Sequence, residues 1–299
     1  MNDAQLFNEY YNKTDVLFEL VKQMKAREVA FMDKVTIIRC AKIHNLKFLK
    51  KYFMNFDMGG KFLPNFYISV AKYENMPFFS FELNKRFDEQ KIFRGTFENY
   101  VTDYDFFIDI DFKNSLKYTF NQTFLLYEFF KNFTYFSIRF SGNGFHIIID
   151  GQFLNFIRKN YKIIFQRWFL ESLVKKLDLD EDCIDLNVLQ KRRIFKIPYS
   201  LDLKSGRICY PLTEQEFLNI KDSSSDEFYN FVSPTNIFKN SVRNRGIPLI
   251  LPEKKAIYDN AKNDLFKKFF LDNKEDFVNF LKENDLKISI RDIGAKRKK

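Results

Sequence analysis

Two acids one residue apart inside an apolar run, Phe106-Phe107-Ile108-Asp109-Ile110-Asp111-Phe112, constrain this chain more than any other stretch. Side chains alternate faces along a β-strand, so a strand here sends Asp109 and Asp111 to one side and Ile108, Ile110 and Phe112 into a core. Same-face neighbours lie roughly 6.5 Å apart along the strand. Two carboxylates held that way can grip a pair of divalent cations about 3.5–4 Å apart, the arrangement used for in-line phosphoryl and nucleotidyl transfer. A half-buried edge strand with a wet acidic face has the same pattern, and Asp-x-Asp alone does not separate the two.

At 299 residues the chain is long enough to bury a full core, and one large domain with a smaller appendage is expected. It has no 18-residue apolar run and no basic segment followed by an apolar one at its start, so no membrane span or signal peptide is indicated and a cytoplasmic protein is expected. Cys40, Cys183 and Cys209 are odd in number and far apart, which fits neither a disulfide framework nor a close-spaced zinc site. The net charge of +10 favours polyanionic partners. The 39 phenylalanines read as compositional bias rather than as base-stacking platforms.

Apolar spacing predicts an amphipathic helix over 4–24, a hairpin from 27–31 and 35–39 around Asp33-Lys34, a helix over 45–56 ended by Gly59-Gly60, and a strand over 65–70. Beyond the acidic strand, a short helix is expected over 125–132, a strand over 135–140, a long helix over 153–177 and a strand over 184–188. Residues 222–226, Asp-Ser-Ser-Ser-Asp, read as a linker or exposed loop, and 253–285 as a small helical appendage.

Three stretches carry chemistry beside Asp109 and Asp111. Ser141-Gly142-Asn143-Gly144 is a turn whose glycines let backbone amides approach phosphate oxygens, and His146 enters the strand that follows. Such turns are also ordinary hairpins, and a histidine among apolar residues is often a satisfied core group. Asp185 lies inside an apolar segment, where a carboxylate is costly unless paired or metal-bound, or else caps a turn. The cation-rich run Lys191 to Lys204, with Lys196 before Pro198, follows it. Arg27 and Arg39, on the first hairpin, read as ordinary strand-end cations on their residues alone.

In order, Asp109-Ile110-Asp111, Ser141 to His146, and Asp185 followed by Lys196-Ile197-Pro198-Tyr199-Ser200-Leu201 and Lys204-Ser205-Gly206 resemble the archaeo-eukaryotic primase superfamily, most closely the catalytic small subunit of archaeal and eukaryotic primase. The resemblance spans about residues 25–212 and includes Arg27 to Phe31 and Tyr67 to Asn75. It implies that Asp109, Asp111 and Asp185 bind Mg2+ or Mn2+ in a two-metal site. It further implies that Ser141, Gly142, Asn143, Gly144, His146, Lys196 and Arg27 contact the nucleotide, with Arg39 and Ser69 of lower weight. Residues 112–141 contain no cysteine, so the zinc-binding insertion common there is missing and no zinc site is expected. Asp202 stands where eukaryotic relatives often have a histidine near the nucleotide sugar, which leaves ribose or deoxyribose choice open.

The expected fold is therefore α+β: a mixed sheet with an RRM-like core flanked by helices, comprising a catalytic domain over 1–212 and a mainly helical extension over 213–299. The expected activity is template-directed nucleotidyl transfer from NTP or dNTP on single-stranded or primed DNA, as a primase or primase-polymerase, with no membrane partner. A gap-filling repair polymerase, and partners such as a primase large subunit or mobile-element and CRISPR proteins, fit the same resemblance. From another class, a non-catalytic single-strand binding module explains the charge but leaves the three aspartates unmotivated.

Overall fold

The computed structural model describes residues 3–32, 37–40, 43, 45–47, 49–50, 65–74, 100–132, 134–202, 204–239, 247–250, 264–284 and 286. Its strands in chain order are β1 (Val29–Met32), β2 (Ile37–Cys40), β3 (Asn65–Ser69), β4 (Ala71–Tyr73), β5 (Val101–Tyr104) and β6 (Phe106–Ile110). They continue as β7 (Ser137–Phe140), β8 (Phe145–Ile149), β9 (Ile194–Lys196), β10 (Leu201–Asp202), β11 (Arg207–Ile208) and β12 (Tyr210–Leu212). Together with helices these make the expected α+β class, with small antiparallel sheets. The chain forms two compact units, each assembled from three segments, and it passes from one to the other within β5 and β7. Position 212 falls inside the first unit.

The first unit takes in residues 1–102, 139–144 and 192–248. Its sheet runs β2-β1-β3-β9, antiparallel throughout, with Phe31 opposite Phe66 and Tyr67 opposite Lys196. Period two decides the faces: Phe66, Ile68, Phe195 and Ile197 are buried, and Lys196 is left on the half-exposed side. Helix Asp3–Tyr11 packs by Tyr11 on Phe66, ring centroids 5.0 Å apart, and helix Thr14–Met24 follows it.

The second unit takes in 103–138, 145–191 and 249–299. Strands β6 and β8 pair antiparallel from Phe106–Ile149 to Ile110–Phe145. Every residue of β8 is buried, and in β6 only Asp109 is not. Phe106 meets Phe169 of helix Lys162–Lys176 at 5.8 Å, and helices Asp264–Asp272 and Lys274–Glu283 add Phe266 against Phe169 at 5.0 Å and Phe277 against Trp168 at 4.8 Å. The phenylalanines of this unit thus build a core, each aromatic contact adding about 0.5–1.5 kcal/mol beyond burial.

Several predicted elements differ. The helix over 4–24 breaks at Asn12-Lys13, where Lys13 is extended. Consecutive residues lie about 100° apart around a helix, yet both Tyr10 and Tyr11 are buried and hydrogen-bonded, Tyr10 Oη donating to Tyr199 O and Tyr11 Oη accepting from Leu201 N. The short helix over 125–132 starts earlier, at Leu116, because the Ser115 hydroxyl accepts from Tyr118 N and caps it. The helix over 153–177 is confined to Lys162–Lys176, and two 3-10 turns, Gly151–Leu154 and Lys159–Tyr161, precede it. The strand over 184–188 is a single bridge at Ile184 and then a 3-10 turn, Leu186–Val188. The linker or exposed loop read over 222–226 is an exposed loop as far as Ser224, which with Glu227 forms a capping box that starts helix Ser225–Phe231. Residues 71–73, just beyond the strand expected over 65–70, form β4.

The hairpin and the strand over 65–70 form as expected, although Asp33-Lys34 lie outside the described residues. So does most of 45–64 and all of 253–263. Neither Cys183 nor Cys209 is in a disulfide. Among the described residues no helix is long and apolar enough to cross a membrane.

Candidate active site

The acids gather in the second unit through strand pairing. Asp109 sits opposite His146 in the β6–β8 register, with Nε2 of the imidazole 3.3 Å from Asp109 Oδ1. On the other edge of β6, Asp185 N donates to Asp109 O at 3.1 Å and Asp111 N to Cys183 O at 2.8 Å, flanking the Ile110–Ile184 bridge. Residues paired across neighbouring strands share a face. His146, Asp109 and Asp185 therefore form a lateral row on one face of the sheet. Asp111 follows on that face just past the end of β6, where it is exposed.

The side chains are held to different degrees. Asp109 is 17 % exposed in a strand that is otherwise buried. Asp185 Oδ1 accepts from Asn187 N, so this residue does cap a turn, beside Asp109 across the Ile110–Ile184 bridge. His146 is buried, its ring set edge-on to Phe107 at 4.9 Å, and its Nδ1 has no hydrogen-bond partner. Nearby Cys183 is no thiolate: burial, with the charge of Asp180 second, pushes its thiol up to about 12. Asp180 lies low because the Tyr118 hydroxyl donates to it at 2.8 Å.

Among the described residues no three His, Cys, Asp or Glu side chains already stand as a ready-made metal cluster. The chemistry of the donors nevertheless fits a hard divalent cation: three carboxylates, two of them side by side across a bridge and the third two residues along the same face.

In the first unit the turn after β7 is closed by Ser141 N donating to Gly144 O at 2.9 Å and Gly144 N to the Ser141 hydroxyl at 3.0 Å. The serine hydroxyl is thus engaged in its own turn. Gly142 has a φ of +101°, and a Cβ there would stand 2.7 Å from Asp202 Cβ, so only glycine fits. Lys196 Nζ donates to Ser141 O at 2.9 Å and pairs with Asp202 Oδ1 at 3.1 Å. Asp202 also accepts from the Ser205 hydroxyl at 2.9 Å.

Ser141, Gly142, Asn143, Gly144 and Lys196 are thereby one cluster. The Arg27 guanidinium donates to Ser69 O at 2.8 Å and Val70 O at 3.3 Å and faces the Phe195 ring. Arg39 is bidentate on the buried Glu28 at 2.8 Å, and Ser69 Oγ accepts from Glu28 N and donates to Ala71 O. Two residues not singled out in the sequence also reach this turn, Arg207 donating to Gly142 O at 3.2 Å and Tyr229 stacking on Arg207, while Asp202, noted there only for the nucleotide sugar, joins it through Lys196. Asp202 opens the Lys204-Ser205-Gly206 turn, which was the available signal. Nothing local marks Tyr229.

Compared with known protein families, the chain matches none. No curated protein sequence matches it either. Among solved structures it is similar to the polymerase domain of Mycobacterium tuberculosis ligase D in complex with DNA, with a TM-score of 0.48 and 10% identity over 80% of this chain and 90% of that one.

Proposed function

We propose that this chain is a metal-dependent nucleotidyltransferase that adds nucleotides from NTP or dNTP to a nucleic-acid strand on a DNA template, as a primase-polymerase. The observation that carries this reading is the lateral row of Asp109 and Asp185 across the Ile110–Ile184 bridge, with Asp111 following at the open end of β6. Like charges on one face repel, and Asp109, 17 % exposed, also loses hydration, a cost that the turn cap made by Asp185 does not explain. A phosphate-transfer site gains metal ligands.

In this reading Asp109, Asp111 and Asp185 hold Mg2+ or Mn2+, which when bound supplies Lewis acidity toward phosphate oxygens and a hydroxyl nucleophile. The chain's own groups bind and orient. The amides of the Ser141–Gly144 turn and the Lys196 ammonium, both of the first unit, offer fixed donors and positive charge to a triphosphate. Lys196 already has a carboxylate partner in Asp202, so the pair keeps the ammonium placed and its charge balanced when no phosphate is present. Arg27, Arg39 and Ser69 support β1, β3 and β9 through backbone and Glu28 contacts.

Full-length wild type and Asp109→Asn are compared for nucleotide incorporation on primed and unprimed single-stranded DNA with Mg2+ or Mn2+. Incorporation with pyrophosphate release by wild type, lost in the variant at unchanged melting temperature, is expected. Full activity of the variant would overturn the assignment, and strand shortening without pyrophosphate would make the protein a nuclease.

A further inference from the structure

Two cations hold two successive carbonyls of the glycine turn. Lys196 donates to Ser141 O at 2.9 Å, and Arg207 Nη1 donates to Gly142 O at 3.2 Å. Arg207 is in turn fixed by Tyr229, whose ring centroid lies 3.5 Å from the guanidinium carbon. Tyr229 itself packs on Phe140, the last residue of β7, at 6.2 Å.

A trans peptide is planar with its C=O and N–H on opposite sides. Pinning Ser141 O and Gly142 O therefore aims the N–H groups of Gly142 and Asn143 the other way. Gly142, with its positive φ, is buried beside Asp202, so of the two amides it is that of the exposed Asn143 that can meet an anion from solvent. Among the described residues neither amide has a protein acceptor, and Asn143 is exposed.

We propose that Arg207, seated on Tyr229, is a positioning residue that sets the Gly142–Asn143 peptide so that its N–H meets a phosphate of the incoming nucleotide. This rests on the function proposed above. Arg207 acts through the peptide plane, with its planar guanidinium held by the ring. Lysine reproduces its charge but not that geometry.

The test uses the full chain with Mg2+ and measures binding of a nucleoside triphosphate, and separately of tripolyphosphate, by calorimetry, with melting temperature recorded for each variant. Arg207→Ala, Arg207→Lys and Tyr229→Leu should each weaken both ligands about tenfold, corresponding to ~1.4 kcal/mol. Tyr229→Phe, which keeps the ring, should bind as wild type does. In incorporation assays the loss should fall on KM with kcat retained.

Weakening by Arg207→Ala but not by Tyr229→Leu would make Arg207 a direct phosphate contact and overturn the proposal. Wild-type affinity in a folded Arg207→Ala, or equal loss in Tyr229→Phe, would do the same. A wild-type chain that binds no triphosphate overturns both readings, whereas one that binds but does not incorporate sinks only the proposed activity.

Discussion

Replacing Gly142 with alanine separates two costs that the structure keeps distinct. At a φ of +101° a side chain meets the backbone strain of the left-handed region, about 1–2 kcal/mol for a non-glycine residue. The new Cβ would also lie 2.7 Å from Asp202 Cβ and 2.8 Å from its Oδ2. Because the near atom is the root of that side chain, the contact cannot be relieved by a rotamer change alone. Overpacking of this kind costs about 1–3 kcal/mol. Gly206 supplies the control: its φ is +69° and nothing lies within 4 Å of an added Cβ, so Gly206→Ala meets the backbone cost only. Urea unfolding of the two variants should therefore place Gly142→Ala below Gly206→Ala by about 1–3 kcal/mol. Displacing Asp202 also disturbs the Lys196 pair, so triphosphate affinity should fall in Gly142→Ala and hold in Gly206→Ala. Equal destabilisation of the two variants would refute the packing argument, and retained affinity in Gly142→Ala would refute the role of the turn.

Two further outcomes concern the scaffold. Lys162, 4 % exposed at its side chain, donates to Asp103 Oδ1, Gly151 O and Asn155 Oδ1, so Asp103→Ala takes a carboxylate from a buried ammonium and should lower unfolding free energy by about 3 kcal/mol; a change under 0.5 kcal/mol in chemical denaturation would contradict this. Burial holds the Tyr10 and Tyr11 hydroxyls above their ordinary value of 10.0. The folded state therefore keeps their protons longer than the unfolded chain, and this stability, complete below pH 10, is lost as pH rises above it. Melting followed from pH 8 upward should fall past about pH 10, and Tyr10→Phe should flatten the fall while losing about 1 kcal/mol with its bond to Tyr199 O; an unchanged slope in that variant would refute the assignment.

Strong local patterns were legible. The period-two apolar run with its acids yields β6, and the apolar alternation of 65–70 yields β3. The caps at Ser115 and Ser224 are local, each hydroxyl accepting from an amide three residues on, and were readable. Contacts with distant partners were not: the Tyr10 and Tyr11 hydroxyls meet Tyr199 O and Leu201 N, 189 and 190 residues away. The strand expected at 184–188 failed because after one bridge the Asp185 side chain finds a nearer donor in Asn187 N and turns the chain.

By itself the amino-acid order determined which residues carry charge, where glycine permits a turn, and that Asp109 and Asp111 share a face, because these follow from side-chain chemistry and the period of a strand. Only the tertiary structure decided that His146 on β8 and Asp185 beside the Ile184 bridge flank Asp109, and that Lys196, Asp202 and Arg207 converge on one four-residue turn. Those are pairings between segments tens of residues apart. Register and loop closure select them through the burial of the whole sheet, and no local pattern encodes that choice.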